Sequence, residues 1–105
     1  MHNHEFSFLR QYRTLASEGY LIRVGKESLS HVDVHLSNGA TYMTVVLFRE
    51  LDEKQTLDLL CSLEENLISS VQSPDDELYV SVFRGTQEGF YTEHHLEEHR
   101  GRQTS

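Results

Sequence analysis

The dipeptide Asn38-Gly39 lies between two runs of alternating polarity, "HVDVHLS" and "ATYMTVVLFR". Asn-Gly in that setting is the strongest short-range signal for a two-residue β-hairpin, typically with a type I′ turn. A two-residue turn fixes the pairing: His35 opposite Tyr42, Asp33 opposite Thr44, His31 opposite Val46. Period two then fixes the faces, with Val32, Val34 and Leu36 on one side and His31, Asp33 and His35 on the other. Continuing the alternation adds Tyr42, Thr44, Val46 and Phe48 to the histidine side. A solvated face has no need of Val and Phe together at one end, and imidazoles with a phenol suit an interface. His31, Asp33, His35, Tyr42, Thr44 and Phe48 are therefore the candidate partner-binding residues. The alternative for this face is cover by a loop or by the C-terminal tail.

Elsewhere the period predicts a mixture. Residues 5–18 read as a helix, with Phe8, Leu9, Tyr12, Leu15 and Ala16 on one stripe and Gly19 as the stop. "YLIRVG", residues 20–25, reads as a strand and "KESLS" as a polar connection. Residues 52–72 read as a second helix, with Asp52 as N-cap and Gln55 as its capping-box partner. Its predicted apolar stripe is Leu57, Leu60, Cys61, Leu67, Ile68 and Val71, widened by Leu63. "SPDDE", residues 73–77, reads as a loop, and "LYVSVFR" with "FYTEH" as a second hairpin. The order is α-β-β-β-α-β-β. This predicts a single small α+β domain over residues 5–95, with a mainly antiparallel sheet and the helices packed on one face. Residues 96–105 read as a polar, disordered tail.

Charge narrows the partners. The 105 residues carry a net charge of −8, unevenly spread. Residues 1–49 hold five Lys and Arg against four Asp and Glu; residues 50–105 hold four against thirteen. The second half would repel a phosphate backbone and attract a basic protein, so nucleic acid is not an expected partner. No segment offers the ~20 apolar residues that cross a bilayer. The N-terminus lacks a signal peptide's apolar run, and the one cysteine excludes an internal disulfide framework. A cytoplasmic location without membrane association is expected. Seven histidines make solubility sensitive to pH between 7 and 5.5.

Chemical centres are few. His31 and His35 start about 13 Å apart along a strand, whereas zinc ligands converge to about 2 Å from one ion. Asp33 with either histidine can share a metal, and a complete site would draw on Glu93, His94 or His95. No metal is expected in the primary reading; His31, Asp33 and His35 are the alternative ligands. Glu64 falls inside the apolar stripe, where a carboxylate needs a partner such as Arg23, Arg49 or Arg84, or a raised pKa. It is the polar centre of an alternative enzyme or ligand-binding reading. His95 and His99, at helical spacing, and His2 and His4 invite adventitious metal. Cys61 reads as a buried core thiol. No phosphate loop, nucleophile elbow, HExxH or paired CxxC occurs, and no cofactor is expected.

Two resemblances follow from the predicted element order. Helix-strand-strand-strand-helix resembles a double-stranded-RNA-binding domain, a family that begins its second helix with a basic cluster. The corresponding stretch here is "ELDEKQTLD", so RNA binding does not carry over. The order over residues 5–95 is similar to the small acidic chaperones of type III secretion, which dimerise and wrap an extended client. The long C-terminal helix of that family is missing. The expectation is a non-enzymatic, acidic protein-interaction module, chaperone-like or a regulatory adaptor, that forms a homodimer.

Overall fold

The computed structural model describes residues 6–69 and 75–103. Its elements run β1 (Phe6–Arg13), β2 (Ser17–Val24), β3 (Glu27–Ser37), β4 (Ala40–Leu47), α1 (Glu53–Leu63) continued by a π-helical turn (Glu64–Ile68), β5 (Glu77–Arg84) and α2 (Glu93–Gln103). The five strands form one sheet in the order β1-β2-β3-β4-β5. The first four are a meander of antiparallel hairpins, and β5 joins β4 in parallel. A parallel neighbour requires a crossover, which α1 supplies. The class is α+β.

The central hairpin pairs as its sequence dictates: His35 with Tyr42, Asp33 with Thr44, His31 with Val46. Its turn is not type I′, which needs positive φ at both central residues. Of the two, Gly39 alone has it, at 78°, and among the described residues none other than glycine does. Between β2 and β3, Val24 pairs with Glu27 across Gly25-Lys26, and Gly25 has φ 61°. Glycine at the first position with positive φ fits a type II′ turn. "KESLS" is therefore, after Lys26 in the turn, the start of β3 and not a connection.

The predicted helix over residues 5–18 is replaced by β1, a turn and the start of β2. Phe6 and Phe8 pair with Val24 and Ile22 and pack against the core, while Leu9 pairs with Leu21 on the other side. The helical spacing of Phe8, Tyr12 and Leu15 was coincidental: strand pairing places Leu15 in the turn, fully exposed. Thr14 closes that turn, its Oγ1 accepting from the amides of Ala16 (3.2 Å) and Ser17 (2.9 Å). The predicted strand "FYTEH" is not a strand either. Residues 85–92 lack regular structure, and α2 occupies 93–103 where a disordered tail was expected beyond Leu96. α2 is exposed from Glu93 to Arg102 and contributes nothing to the core, so among the described residues α1 and its π-turn are what cover the sheet.

The core lies between the sheet and that helix: Ile22, Leu29, Val32, Val34, Met43, Val45 and Leu47 against Leu59, Leu63 and Ile68. The capping box forms as expected. Asp52 Oδ1 accepts from the Gln55 amide (2.7 Å) and Gln55 Oε1 from the Asp52 amide (3.0 Å). The buried stripe, however, is centred on Leu59 and Leu63, not on Leu57 and Cys61, both of which are exposed. Ile68 rejoins this seam only through the π-turn. In an unbroken α-helix it would lie about 140° around the axis from Leu63. The wider turn, marked by the Ser69 amide bonding the Glu64 carbonyl at 2.9 Å, brings a residue five positions on back to the same side. The same seam leaves Glu64 exposed in water, so the carboxylate expected in the apolar stripe is not there. Val71, Ser73, Pro74, His2 and His4 lie outside the described residues.

The seam makes a direct prediction. Leu59→Ala should cost about 2–5 kcal/mol in urea unfolding. Leu57→Ala should cost about 0.5 kcal/mol or less. Equal costs would contradict this helix orientation.

Candidate functional site

The sheet's second face, away from α1, is built by three rows that cross the strands. Leu9, Leu21, His31, Val46 and Phe83 form the first, one residue from each strand. Tyr12, Gly19, Asp33, Thr44 and Ser81 form the second, and Ser17, His35, Tyr42 and Tyr79 the third. Five of the six residues singled out from the sequence thus share these rows. Phe48 sits one residue past β4, half-buried, its amide bonded to the Leu29 carbonyl (2.9 Å). There it lines a shallow cleft of 310 Å³ with Arg49, Glu50, Arg84, Gly85 and Thr86.

The middle row is held by a glycine. A bulge at Gln11 shifts the phase of β1 so that Tyr12 falls opposite Gly19. The ring then lies across the glycine: a Cβ there would be 2.0 Å from Tyr12 Cε2. With no side chain in the way, the phenol spans β2 and donates to Asp33 Oδ1 on β3. An aromatic ring covering a strand glycine recovers the packing that glycine forgoes. Asp33 Oδ2 lies 3.6 Å from His31 Nδ1, which is ion-pair range when the imidazole is protonated. Nε2 of His31, on the far side of the ring, is buried and has no partner.

This cluster does not resemble a catalytic base. Burial first, then the hydrogen bond to Asp33 and its charge, pushes the Tyr12 phenol from 10.0 to about 12. A phenol so held remains a donor over the whole physiological range. Nor do the sequence's metal candidates converge: His31 and Asp33 adjoin, while His35 is the next same-face position along β3. Among the described residues no three His, Cys, Asp or Glu side chains gather as a metal site. In α2, His94 meets Glu98 (3.5 Å) and His95 caps toward Thr92. Arg23, Arg49 and Arg84, possible partners for Glu64, instead meet the Lys26 carbonyl, Glu27 and Glu50.

Sequence reasoning missed Leu9, Tyr12, Gly19, Leu21, Tyr79 and Phe83 on this face. Tyr12 and Gly19 had been read as helix face and helix stop. The available signal was Gly19 within "SEGYLIRV", where an isolated glycine in a strand marks a close approach. Tyr42 and Tyr79 stack with ring centroids 5.3 Å apart and planes 19° apart, and Tyr79 also donates to Glu77. Leu9 (52% exposed), Tyr42 (47%), Tyr79 (49%) and Phe83 (57%) leave much apolar and aromatic surface open to solvent. A separate cleft of 540 Å³ is lined by Val34 and Leu36 of β3, Leu67 of the π-turn and the Arg13–Glu18 ion pair (3.3 Å).

No family model matches this chain, and neither a curated protein nor a solved structure matches it. Among the described residues no helix is long and apolar enough to cross a membrane.

Two outcomes test the cluster. Gly19→Ala should destabilise by about 1–3 kcal/mol, because the new methyl displaces the Tyr12 ring; unfolding in urea reads this. The second concerns alkaline pH. The folded state keeps a proton that the unfolded chain releases near pH 10, so Tyr12's stabilisation is complete below pH 10. It is lost as pH rises toward 12. Tyr20 and Tyr79 are raised as well, so the comparison is with Tyr12→Phe, whose stability should fall less steeply over that window. Parallel curves would remove the Tyr12–Asp33 bond from the account.

Proposed function

We propose that this chain is a non-enzymatic protein-interaction module that binds a protein partner through the outer sheet face and works as a homodimer. One observation carries the reading: the row Leu9, Leu21, Val46 and Phe83, interrupted on β3 by His31, crosses the sheet with both ends, Leu9 and Phe83, more than half exposed. A monomer rarely leaves so extended and largely apolar a surface without a use for it. Aromatic anchors beside it, Tyr42 and Tyr79, are the side chains that interfaces favour. The Tyr12–Asp33–His31 cluster supplies a fixed polar centre. His35, Thr44 and, at the margin, Phe48 complete the surface.

A basic partner fits the acidic balance, with a change in how the charge acts. Asp52, Glu53, Glu64 and Glu65 lie on or beside the helix that covers the opposite side of the sheet. They steer approach through the overall field and do not form the contacts. The chaperone-like or adaptor role, and the cytoplasm as its location, belong to this same reading.

Replacing Leu9 by Ser and His35 by Ala together tests it without touching the core or β5. The double variant should keep its thermal unfolding and lose partner capture by about tenfold or more, as expected for two anchor side chains. A photo-reactive residue at Thr44 should label that partner, whereas one at Asp58 on the helix should not. Undiminished capture, or labelling from Asp58 alone, would refute the outer face as the binding surface.

A further inference from the structure

We propose that the free edge of β5 pairs antiparallel with β5 of a second copy, about a two-fold axis through Ser81. The inference gives the homodimer of the proposed function its interface. It does not depend on the outer face taking a partner.

The edge is chemically open. Among the described residues β5 is the last strand of the sheet, and its ladder runs only to β4. Glu77 and Gly85 direct their amides at the β4-side carbonyls of Gly39 (3.1 Å) and Leu47 (2.9 Å). Backbone groups alternate in direction along a strand, so Leu78, Val80, Val82 and Arg84 turn theirs to the free side. Natural sheets protect such edges with charge, bulges or proline. The opposite edge has that protection: β1 carries a bulge at Gln11 together with Arg10 and Arg13. From Leu78 to Phe83, β5 has neither charge, proline nor bulge, in a chain of net charge −8.

The sequence of this edge selects its occupant. Residues 79–83 read Tyr-Val-Ser-Val-Phe, a chemical palindrome of aromatic, valine, serine, valine, aromatic. A two-fold axis perpendicular to the sheet keeps each face on its own side and makes the interface isologous. Centred on Ser81, it sets Tyr79 opposite Phe83 of the second copy on the outer face, and Val80 opposite Val82 on the helix side. Ser81 meets itself at the axis. The pairs that exchange backbone hydrogen bonds are then 80 with 82 and 78 with 84, the positions whose groups point outward. An axis through Val80 instead sets Glu77 against Phe83 and Tyr79 against Ser81, wasting both aromatics and burying a carboxylate edge. Val80 and Val82 remain 38% and 40% exposed beyond the cover of α1, apolar surface that pairing at this edge would cover. The product is a continuous sheet across two copies, with both outer faces on the same side.

Cysteine cross-linking tests the register. Directly opposed, non-hydrogen-bonded antiparallel residues have Cα atoms about 4.5 Å apart, within disulfide reach of about 4.4–6.8 Å. In the untagged full chain carrying Cys61→Ser, Ser81→Cys should oxidise to a covalent dimer at least about tenfold faster than Val80→Cys, whose thiols are held apart. The wild-type chain should sediment as a dimer at micromolar concentration. Val82→Pro removes an outward amide without breaking the ladder to β4 and should give a monomer; Val82→Lys, which keeps the backbone intact, should do the same. A monomeric wild type, or a dimer that cross-links fastest through position 80 or through neither position, overturns the inference. The Leu9→Ser, His35→Ala variant, which leaves the Tyr42–Tyr79 stack and β5 intact, separates the two readings: it should stay dimeric while losing its partner. A monomeric wild type that still binds the partner through the outer face would sink the edge pairing alone.

Discussion

The register between β3 and β4 decides which side of the sheet every residue from Ser30 to Leu47 occupies. A slip of one residue would carry Val32, Val34, Met43 and Val45 out of the core and bring His31, Asp33 and Tyr42 into it. Burial of those four side chains therefore holds the hairpin in step more firmly than its turn does. The rest is laid onto this pair: β2 pairs along β3, α1 closes over the buried face, and β5 returns beside β4.

Closing that face requires the helix to stay in contact longer than an ideal α-helix allows. Leu59 and Leu63 are one turn apart, and Ile68 regains the same side only because the π-turn between them adds a residue. Charged residues are thereby kept in water along the helix, Glu64 and Glu65 among them. The helix and the sheet cover each other on one side only. The other side must find its own stabilisation, which it does through the Tyr12 ring over Gly19, the bond to Asp33 and the Tyr42–Tyr79 stack. These contacts order the face without covering it. It stays available to another molecule.

Local signals were strong where a turn, a cap or a strict period acted alone. The hairpin pairing at Asn38-Gly39, the capping box at Asp52 and the strand character of residues 78–84 were all legible. Signals failed where two templates fitted the same residues. "FSFLRQYRTLA" carries apolar residues at helical spacing, yet the alternation of Phe6 and Phe8 against Leu9 serves a strand equally well, and pairing with β2 decides between them. The helix stripe failed for another reason: counting at 100° per residue assumes an unbroken α-helix, and the π-turn violates that assumption. The polar tail misled because composition speaks to packing; α2 is exposed from Glu93 to Arg102 and is helical all the same.

The sequence alone determined the α+β class, the central hairpin with its two faces, and the imbalance of charge between the halves, because each follows from residue order within a few positions. Tertiary structure decided that β5 lies parallel to β4 at an edge, that Tyr12 reaches Asp33 across Gly19, and that Leu9, Leu21, Val46 and Phe83 line up in one row around His31. Those are contacts between residues distant along the chain. No local period encodes them, since they exist only once the strands are side by side.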